Sequence, residues 1–465
     1  MEAPVVVVGA GPAGLAAARA LAGSGRPSLV LEATGEVGGI SRTVTRNGYR
    51  FDLGGHRFFT KFDEVQRLWE EVLGPDLLVR PRMSRILYRG RFFDYPLRAS
   101  NALANLGPIE AARCIASWAV ARATTSDREA ATFEDWVTAR FGRRLFGIFF
   151  KTYSEKVWGV PCTEIAASWA AQRIRNLSLG RAAWNAIFGS RGDVTSLIER
   201  FHYPRLGPGM MYERMAQQVE TAGGSVRLCA PVEAVRRDGM RATAVLAGGR
   251  EVPVRHLISS MPLTDLVRSL DPPAPDAVRA AADALVFRSM MTVNLIVDRA
   301  ALFPDNWIYV HSPELKVARI QNFGNWSPEM VPVEGTSAIA LEYMTSPHEA
   351  LWAGTDEDAF ALGRREAVAT GLLRDASVTD GMVVRIPHAY PVYRIGYERH
   401  LDVIADWLRG FSNLQPVGRG GMFKYNNADH SILTGLLAIE NLDGAAHDLW
   451  AVNTDSEYQE VRKNG

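Results

Sequence analysis

The sequence is poor in cysteine, has almost no net charge and lacks long apolar runs. Its three cysteines, Cys114, Cys162 and Cys229, are odd in number and follow no metal-binding spacing. This argues against a disulfide scaffold and against a metal site, and it favours a reducing cytoplasm. Lys plus Arg number 52 and Asp plus Glu 51. No overall field therefore attracts nucleic acid or an anionic membrane, and any anion site must be local.

No stretch has the length and apolarity of a membrane-spanning helix. The first apolar run contains Gly9, Gly11 and Gly14 and follows no basic segment, so neither a secretory signal nor a span is expected. The run over residues 109–120 is too short and carries charges. With 47% hydrophobic and 22% charged residues, the composition is that of a globular protein with two to four structural units. We expect a soluble cytoplasmic protein.

Four regions of the chain differ in their pattern. Residues 4–31 predict a strand, a tight turn, a helix and a second buried strand, which together make one βαβ unit. Residues 100–200 lack alternation and predict helices. Residues 225–260 predict short strands joined by Gly-rich turns, and residues 290–345 predict an antiparallel meander.

Further signals mark helix ends and loops. Thr132 followed by Asp135 predicts an N-cap before the apolar run over residues 136–150. Residues 172–192 are rich in Arg and Gly and predict a partly mobile connection. Near the end of the chain, a Gly/Asn-rich loop precedes a helix predicted over residues 430–442.

The segment that joins the first strand to the first helix is VVVVGAGPAG, residues 5–14. Gly9 permits a sharp turn, Gly11 lets the backbone approach a pyrophosphate, and Gly14 lets helix and strand pack closely. Glu32 ends the second strand, where a carboxylate can accept a hydrogen bond from a ribose hydroxyl. The arrangement predicts a dinucleotide site at the helix N-terminus. A glycine-rich turn without a ligand is the alternative.

A second glycine motif, EVGGISRT at residues 36–43, follows the acidic strand end. It resembles the GG motif of the FAD-binding amine-oxidase and protoporphyrinogen-oxidase superfamily, which favours FAD over NAD. The same resemblance places the backbone of Val232 at the adenine end, with a plain core strand as the alternative. The cofactor residues implied so far are Gly9, Gly11, Ala13, Gly14, Glu32, Gly39, Ser41, Arg42 and Val232.

Four further segments resemble one family of this superfamily, the FAD-dependent UDP-galactopyranose mutases. They are DLGGHRFFT (52–60), YSEKVWGVP (153–161), ARIQNFGNWSP (318–328) and GRGGMFKYNNADHS (418–431). The family implies a reduced FAD whose N5 attacks the anomeric carbon of a nucleotide-linked sugar. The sugar, galactose in that family, then changes between its pyranose and furanose forms without net redox change.

The resemblance also implies roles for single residues. His56 is placed beside the flavin near N5, with the Gly55 backbone close to the ring; a satisfied structural histidine is the alternative. Arg173 and Arg319 match two arginines that hold the diphosphate, a task that suits bidentate guanidinium groups. Arg173 lies in the predicted connection, which we interpret as a lid over the nucleotide.

Aromatic and C-terminal residues complete this prediction. Tyr153 and Trp158 match aromatics that line the nucleotide and sugar region, with core packing as the alternative for both. Tyr425 matches a tyrosine near the phosphates. Asn427, also assigned to the substrate, replaces an acidic residue of the bacterial mutases, which leaves the sugar and the base open. The remaining cofactor contacts, including a helix N-terminus facing the flavin, are Gly418, Arg419, Asp429, His430 and Ser431.

The predicted fold is α/β, with a Rossmann-like FAD-binding domain, a helical insertion and an antiparallel β-sheet domain. The FAD-binding domain is discontinuous. The predicted bounds are residues 1–83, 206–265 and 410–450 for the FAD-binding domain, 84–205 for the helical domain with its substrate lid, and 266–409 for the antiparallel-sheet substrate domain.

The predicted activity is that of a nucleotide-sugar mutase whose partners are a nucleotide-diphosphate sugar and an external flavin reductant. Neither nucleic acid, membrane nor metal is expected, and a homo-oligomer is left open. The first alternative is an FAD-dependent oxidase or desaturase, which would need an apolar tunnel and no paired arginines. The second is a flavin-binding protein without turnover, against which His56, Arg173 and Arg319 argue.

Overall fold

The computed structural model of the chain describes residues 3–95, 99–124, 130–169, 199–373 and 378–454. They form a parallel sheet, a longer, largely antiparallel sheet and a smaller mixed sheet, which are covered by helices. The predicted α/β class is therefore confirmed.

The parallel sheet has the first strand, β1 (Val5–Val8), at its centre. All four valines are buried, as expected for a strand that is covered on both faces. Every neighbouring pair in this sheet is parallel. In spatial order the strands are β20 (Leu414–Pro416), β13 (His256–Ser259), β1, β2 (Ser28–Leu31) and β9 (Ser225–Arg227).

One face of this sheet is covered by helix α1 (Pro12–Gly23), which begins directly after the glycine turn. Its alanines let two helices pack against it, α7 (Gly209–Thr221) and α15 (Ala428–Leu442). A Cβ on Gly435 would lie 2.2 Å from the carbonyl oxygen of Ala13, so this approach of α15 to α1 requires glycine. The helix predicted over residues 430–442 is confirmed and begins two residues earlier.

The second large sheet is built around β15 (Phe287–Val297), whose eleven residues are all buried. This strand pairs antiparallel with a neighbour on each side. In spatial order the seven strands are β19 (Val378–Pro391), β15, β18 (Ser337–Thr345), β17 (Arg319–Asn322), β16 (Trp307–Val310), β6 (Ser84–Tyr88) and β7 (Arg91–Asp94).

Two predictions about this sheet are wrong. The region of residues 290–345 is not a simple meander, because β15 pairs with β18 and β19 rather than with its successor β16. A strand buried along eleven residues needs long neighbours, and β16 has only four residues. In addition, residues 84–94 lie in this sheet as β6 and β7 rather than in the helical insertion, and β6 pairs in parallel with β16. The division into three domains stays a prediction.

The helical region has the predicted N-cap, and the helix that follows it is interrupted. The Thr132 hydroxyl accepts a hydrogen bond from the Asp135 amide at 3.0 Å. The run over residues 136–150 is interrupted because Gly142 adopts a φ of +80°, and the chain continues as a π-helical turn, Phe146–Lys151. The helices here are α3 (Ala99–Leu106), α4 (Pro108–Thr124), α5 (Phe133–Leu145) and α6 (Thr152–Trp158).

The remaining elements are short strands and covering helices. The mixed sheet, in spatial order, contains β12 (Arg250–Pro253), β11 (Arg241–Ala247), β10 (Val232–Asp238) and β14 (Leu270–Asp271). Two strand pairs are β3 (Thr43–Arg46) with β4 (Tyr49–Asp52), and β5 (Leu77–Pro81) with β8 (Arg200–Pro204). The other helices are α2 (Asp63–Leu73), α8 (Leu263–Ser269), α9 (Asp276–Ala284), α10 (Phe323–Trp326), α11 (Ala350–Ala353), α12 (Asp356–Ala369), α13 (Tyr397–Arg409) and α14 (Gly418–Gly421).

Candidate active site

A cavity of about 540 Å³ lies at the carboxyl ends of the parallel strands. It follows the glycine turn after β1, the end of β2 and the loop after β13, and it reaches the short helix α14. Most of the cofactor residues predicted from sequence line it: Gly9, Gly11, Ala13, Glu32, Gly39, Ser41, Arg42, His56, Val232, Gly418, Arg419 and Ser431.

The glycines of this cavity hold backbones closer together than any side chain allows. Gly9 adopts a φ of +94°, and a Cβ there would lie 2.2 Å from the Ser260 hydroxyl. A Cβ on Gly14 would lie 1.9 Å from the Gly9 carbonyl oxygen. Gly14 does not itself line the cavity; it lets α1 begin against the end of β1, as the fingerprint predicts.

The end of β2 presents a buried carboxylate. Glu32 is 7% exposed and accepts hydrogen bonds from the Ala10 amide at 2.8 Å and from the Thr34 amide at 2.9 Å. These bonds fix the carboxylate at the cavity wall, and an oxygen with two lone pairs can still accept from a ribose hydroxyl.

The residues predicted to bind the cofactor or substrate at the start of α15 do not all line the same cavity. Asn427 is the N-cap of α15, Ser431 lines the cavity just described, and Asp429 lines a second cavity beyond it. His430, predicted to contact the cofactor, lines neither; it is buried with its ring 5.7 Å from that of Phe62.

The residues present fit FAD. The cavity combines a carboxylate at the ribose position, glycines that let the backbone approach a pyrophosphate, and the N-terminal turn of α1. A Cβ on Gly418, which has a φ of +76°, would lie 2.9 Å from the Ala13 side chain, so the far wall is also built for close approach.

The second cavity, of about 180 Å³, adjoins the first. The two share His56, Arg419, Asn427 and Ala428 as lining residues. A group bound in the second cavity therefore lies next to the end of whatever occupies the first, and His56 stands at the junction.

One face of three neighbouring strands forms the floor of the second cavity. In the register of the sheet Arg319 of β17 lies between Tyr309 of β16 and Glu342 of β18. Two residues further on, on the same face, Gln321 pairs with Trp307. Alternation along the strands brings these side chains together.

Arg319 is held by a fully buried carboxylate. Its Nε lies 2.9 Å from both carboxylate oxygens of Glu342, which is 0% exposed, and the Gln321 amide donates to the same carboxylate at 2.7 Å. Burial alone would lower the pKa of Arg319, but the Glu342 carboxylate, together with Tyr390 and Tyr153, outweighs burial and raises it. Among the described residues no hydrogen bond engages Nη1 of Arg319, so that end of the guanidinium group can bind a ligand.

His56 is neutral at physiological pH. Burial lowers its pKa to about 4, the bond to Leu53 raises it, and the charges of Arg419 and Arg319 lower it further. Its Nε2 lies 3.0 Å from the Leu53 carbonyl oxygen. Because a carbonyl only accepts, Nε2 carries the hydrogen and Nδ1 is left as an acceptor.

The cavity offers more donors and cations than acceptors. Arg57, Arg319 and Arg419 line it, against the single carboxylate of Asp429 among the described lining residues. Trp69 and Trp307 also line it, and in the described part of the chain their indole N–H groups are buried without a hydrogen-bond partner. Such groups favour a ligand rich in acceptor oxygens.

The predicted aromatic residues are placed unequally. Tyr425 lines the cavity and stacks on Tyr390, with ring centroids 5.5 Å apart. Trp158 is buried behind them, edge-on to Tyr425 at 6.0 Å. Tyr153 also lies behind the wall, stacked on His311 at 4.6 Å. Arg173, with the predicted connection over residues 172–192, lies outside the described residues.

Sequence reasoning missed Gln321, Glu342, Trp307, Tyr309 and Tyr390. A signal existed for two of them. Gln321 follows Arg319 by two residues, which in a strand means the same face. Glu342 is the one charged residue of its strand, and a buried carboxylate needs a cationic or donor partner. The others required knowledge of which strands are neighbours.

The sequence matches a known family over most of its length. Residues 12–368, more than three quarters of the chain, match the family of flavin containing amine oxidoreductases. No helix among the described residues has the length and apolarity to cross a membrane.

Curated relatives match in a short segment. A putrescine oxidase from Kocuria rosea is 42% identical over 102 residues, which cover 20% of this chain and 21% of that protein. Amine oxidase B from Bos taurus is 36% identical over 97 residues, which cover 21% of this chain and 18% of that protein. The chain thus spans about a fifth of the length of the curated relatives that it matches.

Solved structures match over the whole chain. A reduced UDP-galactopyranose mutase superposes with a TM-score of 0.85 at 25% identity, covering 97% of this chain and 98% of that one. A putative protoporphyrinogen oxidase from Exiguobacterium sp. 255-15 gives a TM-score of 0.71 at 17% identity, covering 95% and 99%. At 17% identity the second likeness shows the fold alone.

Proposed function

The chain belongs to the flavin containing amine oxidoreductase family and is an FAD enzyme with the fold of UDP-galactopyranose mutase, and on that premise we propose that it interconverts the pyranose and furanose forms of a nucleotide-linked hexose. One observation carries the proposal. Arg319, held by the buried Glu342, lies in a cavity that adjoins the FAD cavity at His56. The reduced flavin, when bound, supplies a nucleophilic nitrogen at the anomeric carbon.

Arg319 provides charge that the departing nucleotide requires. Cleavage of the bond between the sugar and the diphosphate leaves negative charge on phosphate oxygens. A guanidinium already fixed by Glu342 can stabilise that charge without reorganising. We assign the Nη1 end of Arg319 to a phosphate oxygen, and we propose that Arg173 supplies the second diphosphate contact.

His56 and the indole N–H donors serve the sugar. A neutral His56, whose Nδ1 accepts, can hold a proton of a sugar hydroxyl or of the reduced cofactor near the reacting carbon. Trp69 and Trp307 can each donate to a hydroxyl or phosphate oxygen. Tyr425 and Asn427 complete the proposed substrate contacts, and Tyr153 and Trp158 support this wall from behind.

An amine oxidase is the second candidate, because the curated relatives are oxidases of amines and amino acids. The charges of the cavity oppose this reading. A protonated amine would face Arg57, Arg319 and Arg419, with Asp429 the one carboxylate among the described lining residues. Like charges in a confined site cost affinity, so an anionic substrate is favoured.

The wider setting follows from this proposal. A nucleotide-diphosphate sugar and an external reductant are its partners, and we place the reaction in the cytoplasm.

A donor panel tests the proposed function. The purified protein is reduced with dithionite under argon and incubated with UDP-galactose, GDP-hexoses or dTDP-hexoses, and the products are identified by NMR. We expect a furanose product from at least one donor. No furanose from any donor, together with peroxide from an amine or polyene in air, would establish the oxidase instead.

A further inference from the structure

A lysine near the second cavity binds three backbone carbonyls of one loop. Nζ of Lys156, in α6 (Thr152–Trp158), lies 3.0 Å from the Val310 oxygen, 3.2 Å from the Ser312 oxygen and 3.0 Å from the Val317 oxygen. An ammonium group has three N–H donors, so all of them are used. The loop they hold joins β16 to β17.

A carboxylate holds the same loop from another side. Glu366 of α12 accepts hydrogen bonds from the amides of Lys316 and Val317, both at 2.8 Å. Val317 therefore donates its N–H to a carboxylate and directs its C=O to an ammonium. Opposite charges on the two ends of one residue fix its orientation more firmly than neutral partners would.

This loop carries cavity residues at both of its ends. Tyr309 directly precedes Val310, and Arg319 comes two residues after Val317. Inside the loop, His311 stacks on Tyr153, which lies one helical turn before Lys156 in α6. Lys156 thus connects α6, the helix behind the proposed nucleotide-binding wall, to the loop that leads to Arg319, the proposed phosphate-binding residue.

We propose that Lys156 is a positioning residue that sets the distance between the base-binding and diphosphate-binding parts of the site. The inference rests on the proposed function, because it assigns the wall that α6 supports to the nucleoside and Arg319 to the diphosphate. A ligand that spans both parts gains affinity only while their spacing matches its own length. The affinity of a ligand that binds only one of the two parts does not depend on that spacing.

The charge of Lys156 provides a readout that a merely structural role would not move. Burial lowers its pKa to about 8, against the opposing effect of Glu366 and Glu314. Above that pH the neutral amine keeps two donors for three carbonyls. The free energy of unfolding should change in the opposite direction to ligand affinity. Because the pKa of Lys156 in the folded chain lies below the ordinary value of 10.5, the unfolded chain binds more protons between about pH 8 and 10.5, so stability does not fall there.

Two groups beside this clamp, His311 and Tyr153, titrate outside that window. The pKa of His311 is lowered to about 3 by burial and by Lys156, and burial raises the pKa of Tyr153 well above 10. Lys424, next to Tyr425, does share a pKa of about 8. Variants at Lys156 are therefore needed to assign a pH step.

The test measures binding of UDP, GDP, dTDP and inorganic pyrophosphate to the holoenzyme by calorimetry. Lys156→Met should retain FAD and weaken the preferred nucleoside diphosphate about tenfold, and pyrophosphate less than threefold. In the wild type the same affinity should fall between pH 7 and 9.5 without a drop in melting temperature. Lys156→Arg, which stays charged, should abolish that step. Lys151→Met, which removes an exposed lysine beside α6, is the matched control and should change neither ligand.

The outcomes separate the two proposals. The role of Lys156 is overturned if Lys156→Met binds the nucleoside diphosphate with normal affinity, or if its affinity for pyrophosphate falls by the same factor. Neither result affects the proposed function. Wild-type holoenzyme that binds none of the nucleotides overturns both. If Lys156→Met does not fold, the pH step in the wild type and its loss in Lys156→Arg decide the question, and a step that persists in Lys156→Arg overturns the role.

Discussion

The two cavities that meet at His56 are built by different means. The FAD cavity depends on close backbone approaches at glycines that are near one another in sequence, such as Gly9 and Gly14. The floor of the second cavity consists of side chains from three strands, where Arg319 depends on Glu342 from a neighbouring strand. Backbone recognition suits a cofactor that never changes. Side-chain recognition can vary with the substrate.

A change at the glycines of the FAD cavity should remove the cofactor itself. In Gly14→Ala the new methyl group would meet the Gly9 carbonyl oxygen at 1.9 Å, so α1 must shift away from β1. We expect at least a tenfold loss of flavin absorbance per mole of protein and a lower melting temperature. Gly23→Ala in the same helix, where a Cβ meets nothing within 4 Å, is the control. FAD content equal to that of Gly23→Ala would contradict the comparison.

The side-chain-built cavity should fail in a different way. Arg319→Met should retain FAD, because Arg319 does not line that cavity, and should lose about 100-fold in kcat/KM with the preferred donor, the usual cost of one oxyanion donor. The control is Arg85→Met on β6, which breaks a similar pair with the buried Asp305. It should lower stability without changing kcat/KM. Near-normal kinetics in Arg319→Met would remove Arg319 from the site.

The two cavities also differ in how far the sequence predicts their residues. Gly9, Gly11, Gly14 and Glu32 were predicted because one turn and two strands, close in sequence, fix their geometry. Glu342 was not, because its place beside Arg319 depends on the register of strands that the sequence pattern does not define.

The seven-stranded sheet makes the same point. Its strands were largely predicted, but β18 lies between β15 and β17, so the predicted meander was wrong. The roles assigned to Tyr153 and Trp158 came from a resemblance. The structure places both behind the cavity wall, where a motif alone could not locate them.

A smaller effect should distinguish an indole N–H that binds substrate from one that stabilises the fold. Trp307 and Trp326 stack in the second cavity, but only the Trp326 N–H has a described protein partner, the Asn306 carbonyl at 2.9 Å. Trp307→Phe should raise KM about fivefold with little change in melting temperature, as for one lost hydrogen bond. Trp326→Phe should show the reverse. If Trp307→Phe lowered stability and left KM unchanged, the N–H would belong to the fold.

The smallest effect concerns the strand end that leads to His56. Burial raises the pKa of Asp52 to about 7, although Tyr203 and Thr43 donate to its carboxylate and lower it. Because the native pKa lies above the unfolded value of about 4, stability falls as pH rises from about 4 to 7.

Asp52→Asn removes this dependence. The variant should melt about 3 °C above the wild type at pH 8, with a smaller difference at pH 4. Asp380→Asn is the matched control. Because Arg46 lowers the pKa of the Asp380 carboxyl, the contribution of Asp380 to stability should depend on pH in the opposite direction. A difference at Asp52 that shrinks with rising pH would contradict the assignment.

The most direct test of the central claim counts products against electrons. The holoenzyme is reduced with one equivalent of dithionite under argon, given an excess of the donor that it accepts, and followed by flavin absorbance and by NMR. The account predicts many furanose products for each reduced flavin, an unchanged reduced spectrum and no turnover by the oxidised enzyme. One product or fewer for each flavin, with the flavin oxidised in step, would contradict it.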